Sequence, residues 1–301
     1  MTAAPAMSEA TQRAARRAAG LACWSGEVAP EVLPGGITNQ NFVVTDRGER
    51  FVVRVADDIP VHGVMRFNEL AASRAAQAAG VSPEVVHYEP GAMVLRFIDG
   101  ATYGEAEVRA AQNAGRIVPL LRKVHHDIPN HFQGPALIFW VFQVVRGYAK
   151  TLAEGGSRMT PELPRLLEAN AALEAALGPV EIVFGHNDLL AANFIDDGAR
   201  LWLIDWDYAG FNTPLFDLAN LASNNQFSAA EEDTLLEAYF DTPASDALRR
   251  KLSAMKCASL LRESLWSMVS EIHLDVDFDY VAYTAEYLAR FDAAYTNFKG
   301  G

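Results

Sequence analysis

The chain has 301 residues, half of them apolar and 21% charged, which is the composition of a folded globular protein and excludes disorder over most of its length. Its 25 Lys and Arg against 38 Asp and Glu give a net charge of −13, which makes nucleic acid a poor partner, because binding a polyanion relies on clustered basic side chains. No apolar run approaches the ~18 residues of a membrane span, so no integral membrane contact is expected. Cys23 and Cys257, far apart among small or apolar neighbours, read as reduced thiols of a cytoplasmic protein.

In chain order, Arg13, Arg16 and Arg17 among alanines read as a short surface helix, with Glu9 arguing against a transit peptide. Leu33-Pro34-Gly35-Gly36-Ile37-Thr38-Asn39 is a glycine-containing loop. It leads into Asn41 to Thr45, which with Phe51 to Val55 predicts a hairpin turning at Asp46-Arg47-Gly48-Glu49. The spacing predicts a helix over 65–79, ended by Gly80 with Pro83 just beyond. Strands over 84–88 and 92–97 follow, until Asp99-Gly100 breaks the pattern. After residue 100, helical segments are predicted near 105–126, 137–154, 161–177, 228–240 and 245–272, with a last helix over 278–298. Three short β-type runs interrupt this half: Ile182 to Phe184, Asn193 to Ile195 and Leu201 to Ile204. With no repeat and no linker, two lobes would meet directly around residues 97–102.

The densest chemical signal is His186-Asn187-Asp188, then Asn193, then Asp205-Trp206-Asp207 at a strand end. Phosphoryl transfer to a hydroxyl needs such a set, since it is mostly positioning of charge. Asp188 is placed to orient the acceptor hydroxyl and take its proton, while Asn193 and Asp205 offer the hard oxygen donors that suit Mg²⁺. The Asp-x4-Asn spacing and the later Asp follow the kinase catalytic loop and its metal-binding Asp. His186 has no second His at ligand spacing and reads as a loop brace. Upstream, Arg54 ends a Val-rich strand where protein kinases place a lysine, and Glu69 on the next helix can pair with it.

Gly35-Gly36-Ile37-Thr38-Asn39-Gln40-Asn41-Phe42, His186-Asn187-Asp188 with Asn193, Ile204-Asp205-Trp206-Asp207-Tyr208 and the helix start at Phe216-Asp217-Leu218-Ala219-Asn220 together resemble the choline/ethanolamine kinases of the aminoglycoside phosphotransferase-like superfamily. The resemblance implies an α+β, two-lobed protein-kinase-like fold, with a small antiparallel-sheet lobe over 1–98 and a larger, mainly helical lobe over 99–301. It implies ATP and Mg²⁺, with Gly36, Thr38, Asn39, Arg54 and Glu69 on the nucleotide side and the adenine against the crossover from Leu95 to Ile98. The implied acceptor is choline or a related cationic amino alcohol such as ethanolamine. Its site would be formed by Asp188, Asp207, Tyr208, Trp266, Phe278 and Tyr283, although on spacing alone Trp266, Phe278 and Tyr283 read as helix core. The chain departs from the pattern at Glu263, where a second tryptophan is common, at Leu190 and at Asn224. A kinase for thiamine or an aminoglycoside and a non-catalytic binding protein are the alternatives. Asp188, Asp207, Glu263, Glu271, Asp275, Asp277 and Asp279 would make an acidic entrance that attracts a cation.

Overall fold

A computed structural model describes residues 7–35 and 39–300. The N-terminal part is an antiparallel sheet of five strands, β1 (Glu31–Val32), β2 (Gln40–Asp46), β3 (Glu49–Val55), β4 (Val85–Glu89) and β5 (Ala92–Arg96), in the order β1-β2-β3-β5-β4. The β2–β3 hairpin turns on Arg47 and Gly48, both at positive φ (50° and 81°), the backbone whose twist matches that of the flanking strands. Alternation puts Phe42, Val44, Phe51, Val53, Ala92 and Val94 on one face. Helix α1 (Glu9–Ala19), capped by the Ser8 hydroxyl, covers that face through Ala14 and Ala18, so it is a packed element of this sheet.

Helix α2 (Arg66–Ala78) joins the two halves of the molecule. Its inner face, Ala72, Ala75 and Ala76, is part of the large core of the helical half, while Glu69 reaches back to Arg54 on β3. The chain crosses between the halves at 97–100 and enters β6 (Ala101–Thr102), which pairs with β8 (Phe194–Asp196). A Cβ on Gly100 would stand 2.5 Å from the Asp196 carbonyl oxygen, so the crossover passes too close for any other residue.

Beyond it lie α3 (Glu105–Arg109), α4 (Ala111–His126), α5 (Val141–Glu154), α6 (Leu163–Leu177), α7 (Pro214–Asn224), α8 (Ala229–Phe240), α9 (Asp246–His273) and α10 (Tyr280–Gly300). Between α6 and α7, β7 (Val183–Gly185) pairs with β10 (Gly210–Asn212), and β9 (Leu201–Leu203) extends the β6–β8 pair. Helix α9 is the axis of this half and packs against α5, α6, α7 and α10. Among the described residues no helix is long and apolar enough to cross a membrane.

The expected helix over 105–126 is two helices, because Ala110 is extended (φ −61°, ψ 123°). The segment expected as helix from 137 is extended to Trp140, where Phe139 N–H donates to the Phe211 carbonyl and Phe211 N–H to that of Leu137. Backbone pairing with β10 therefore overrides helical propensity there.

Candidate active site

Two short β pairs hold the catalytic-loop residues. β7 ends at Gly185 and delivers His186-Asn187-Asp188, with Asn187 in the left-handed region (φ 66°), a conformation asparagine tolerates better than most residues. The Asn187 amide donates to the carbonyls of Tyr208 (3.0 Å) and Gly210 (3.1 Å), tying this loop to the one after β9. Asp217 on α7, 1% exposed, accepts the backbone N–H groups of His186 and Asn187 (both 2.8 Å) and shares a 3.0 Å hydrogen bond with His125 Nε2. Burial pushes the Asp217 carboxyl up, yet the His125 bond and neighbouring charge hold it below the usual carboxylate range. His186 is fully buried, and burial lowers its pKa. Its Nε2 donates to the Ile204 carbonyl (2.9 Å), which leaves Nδ1 to accept Asp188 N–H (3.3 Å). The sequence-based reading of His186 as a brace matches this geometry.

Asp188, Asn193 and Asp205 come together at the mouth of these loops. Asn193 Nδ2 donates to the Asp188 carbonyl (2.9 Å), and Ile204 N–H to the Asn193 carbonyl (3.0 Å). Asp205, left-handed at φ 69°, follows directly. Burial pushes the Asp188 carboxyl up to about 8, with Glu263, Asp205 and Asp207 adding to the push and Arg262 opposing it. The donor set therefore calls for added positive charge. One amide oxygen and one carboxylate are hard ligands of the kind Mg²⁺ takes together with phosphate oxygens, so Asn193 and Asp205 fit that ion.

Next to them two buried guanidinium groups, Arg54 and Arg66, meet the buried carboxylates of Glu69 and Asp207 and the partly exposed one of Asp205. Arg54 donates to Glu69 (2.6 Å) and Asp205 (2.8 Å); Arg66 donates to Glu69 (2.6 Å) and Asp207 (2.7 Å). Asn39 bridges the pair, accepting from Arg66 (3.1 Å) and donating to Asp207 (2.9 Å). Arg54, Arg66, Glu69, Asp207 and Asn39 are each under a tenth exposed. With one carboxylate in excess, Asp207 is pushed above its ordinary range by burial and its acidic neighbours, while Asp205, raised by burial, is held low by Arg54. Arg54 Nε is buried without a partner among the described residues. Arg66 is a member the sequence reading missed; its spacing of three before Glu69 on one helix was the available signal. Gly36 and Thr38, expected on the nucleotide side, lie outside the described residues.

On the other side of Asp188, Arg262 of α9 is 2% exposed, with its guanidinium 4.2 Å over the Tyr208 ring and 5.6 Å from the Phe139 ring. Sequence reading missed it too, although it stands inside an apolar run that predicts burial. Trp266 is 5% exposed and packs against His62, Tyr280 and Tyr283, while Phe278 and Tyr283 are half-buried and in edge contact with each other. The expected acidic entrance is smaller than the sequence suggested. Asp207 is committed to the arginine network, Glu263 pairs with Arg262 and Glu271 with Arg158, and Asp279 accepts a backbone N–H at the start of α10.

The chain is 26% identical to Protein LicA of Haemophilus influenzae over 276 residues, covering 86% of this chain and 97% of that one. It is also 26% identical to a probable ethanolamine kinase of Arabidopsis thaliana, covering 84% and 76% of the two chains. Among solved structures, a choline/ethanolamine kinase family protein from Mesorhizobium loti superposes with a TM-score of 0.75 at 29% identity, covering 94% of both chains. The fold is thus protein-kinase-like, as expected. The model of the phosphotransferase enzyme family matches residues 30–253, three quarters of the chain and every loop described above, and the chain belongs to that family.

Proposed function

We propose that this protein transfers the γ-phosphoryl group of ATP to the hydroxyl of a small amino alcohol of the choline and ethanolamine class. The observation that carries the reading is the convergence of Asp188, Asn193 and Asp205 beside the buried Arg54–Glu69 pair, a set that phosphoryl transfer requires and that simple binding does not. The kinship with a probable ethanolamine kinase and with a choline/ethanolamine kinase family protein supports the acceptor class.

In this reading Asp188 orients the acceptor hydroxyl and receives its proton as the oxygen attacks. The Asp217–His186–Asn187 hydrogen bonds fix the loop backbone that carries that carboxyl, so little backbone reorganisation is needed during the reaction. Asn193 and Asp205 hold Mg²⁺, which supplies the positive charge that offsets the phosphate oxygens. Arg54, braced by Glu69, supplies positive charge on the nucleotide-phosphate side, which Asn39 borders; Gly36 and Thr38 are assigned to that side by the resemblance alone. The adenine lies by the crossover at Leu95 to Ile98. Tyr208, Phe278 and Tyr283 line the acceptor end, with Trp266 packing behind them and Asp207 setting the charge between the two ends. The division into a nucleotide lobe over 1–98 and a catalytic lobe over 99–301 belongs to this proposal.

Asp188→Ala tests it. Amino-alcohol-dependent ADP release should fall by about 10³-fold or more with an unchanged circular dichroism spectrum, since the change removes a loop carboxyl and no core volume. Retained turnover in that variant would contradict the assignment.

A further inference from the structure

The acceptor end holds a charge pair that bears on which amino alcohol is used. Arg262 and Glu263 are adjacent on α9 and bonded to each other, Nη1 to Oε2 at 2.7 Å. Arg262 Nε and Nη2 have no acceptor among the described residues, so the guanidinium is committed to Glu263 and to the Tyr208 face it covers at 4.2 Å. A quaternary ammonium has no N–H and is recognised by open aromatic faces. Here the Tyr208 face already carries a cation, and Trp266 is 5% exposed against His62. Two of the rings that could cage such a group are therefore occupied or buried.

Glu263 has the opposite character. Its side chain is 16% exposed, and each oxygen accepts one bond, Oε1 from the Tyr283 hydroxyl (2.8 Å) and Oε2 from Arg262. A lone pair remains on each, and two rigid donors fix the carboxylate. Contacts link it to the Asp188 loop: its partner Arg262 covers the Tyr208 ring at 4.2 Å, and the Tyr208 carbonyl accepts from Asn187, the residue before Asp188, at 3.0 Å. A two-carbon amino alcohol with its hydroxyl at Asp188 would bring its nitrogen toward Glu263. A primary ammonium donates hydrogen bonds to that carboxylate, whereas N-methyl groups remove donors and hold the charge farther away.

We propose, resting on the amino-alcohol reading above, that Glu263, held by Arg262 and Tyr283, is the specificity-determining residue that selects a primary over a quaternary ammonium, so that the acceptor class is ethanolamine-like. Initial rates with Mg²⁺–ATP and the series ethanolamine, N-methylethanolamine, N,N-dimethylethanolamine and choline test this on the unaltered protein. The expected kcat/KM falls along the series, by at least about tenfold from first to last. In Glu263→Gln, ethanolamine should lose about tenfold or more, mainly through KM, while choline changes less than about threefold. Equal use of the series, a preference for choline, or an equal loss for both acceptors in Glu263→Gln would overturn the inference and leave the amino-alcohol reading standing. No turnover with any of the four would overturn that reading and the inference with it.

Discussion

At the scale of the residue, the buried arginines decide how the site is held. Arg66 satisfies Glu69, Asp207 and Asn39 at once. Arg66→Met keeps much of the side-chain volume but leaves two carboxylates with one guanidinium fewer among them. Breaking a buried pair from one side costs about 3–5 kcal/mol, so the urea midpoint should fall by a corresponding amount; a change under about 1 kcal/mol would mean that water reaches these carboxylates. Asp188, Asn193 and Asp205 were legible in the sequence because one loop and one strand end carry them at fixed spacing. Arg66 and Arg262 were less so: the spacing of Arg66 to Glu69 and the apolar run around Arg262 hint at pairing and burial, but only the fold shows which acids and rings from distant segments surround them.

Between elements, His62 ties three together. It sits in the turn Pro60–His62 before α2, 3% exposed, with Nδ1 bonded to Tyr148 of α5 (3.0 Å) and Nε2 to Ser270 of α9 (3.0 Å). Burial pushes its pKa down to about 3, with Arg262 and His273 adding to the shift. Below pH ~6.5 the unfolded imidazole takes up a proton that the folded one refuses, so this contribution is present above pH ~6.5 and is lost as the pH falls toward about 3. By pH 5 the loss is about 2 kcal/mol. Urea denaturation at pH 7 and pH 5 should show that extra loss in the wild type and not in His62→Gln; parallel losses would contradict it. Element legibility followed amphipathicity. The β2–β3 hairpin and the helices capped by Ser228 and Ser245 carry clear signals. Helix α7 does not: Pro214 to Ser223 are all buried, so no polar face marks its period, and only the resemblance pointed to a helix start there. Strands β1, β6 and β10 are two or three residues long and form through tertiary pairing that no local pattern announces.

Over the whole molecule, the net charge of −13 is divided between internal pairs and open surface. With Glu263, Glu271 and Asp207 paired to arginines, the field at the acceptor end comes from fewer acids, among them the exposed Asp275 and Asp277. The acceptor KM should rise with ionic strength, but by less than about tenfold between 50 and 300 mM salt, since surface charges are screened within ~10 Å; a KM that falls with salt would rule out attraction of a cation. The two halves have separate cores, bridged by α2 and by the Arg54–Asp205 ion pair, and the proposed function sets the phosphoryl transfer at this junction. The central claim is phosphoryl transfer to an amino alcohol at that junction, and ³¹P NMR of the purified protein with Mg²⁺–ATP and ethanolamine tests it most directly. A phosphomonoester signal that grows in step with ADP is the predicted result. ATP converted only to ADP and inorganic phosphate, or not consumed at all, would contradict it.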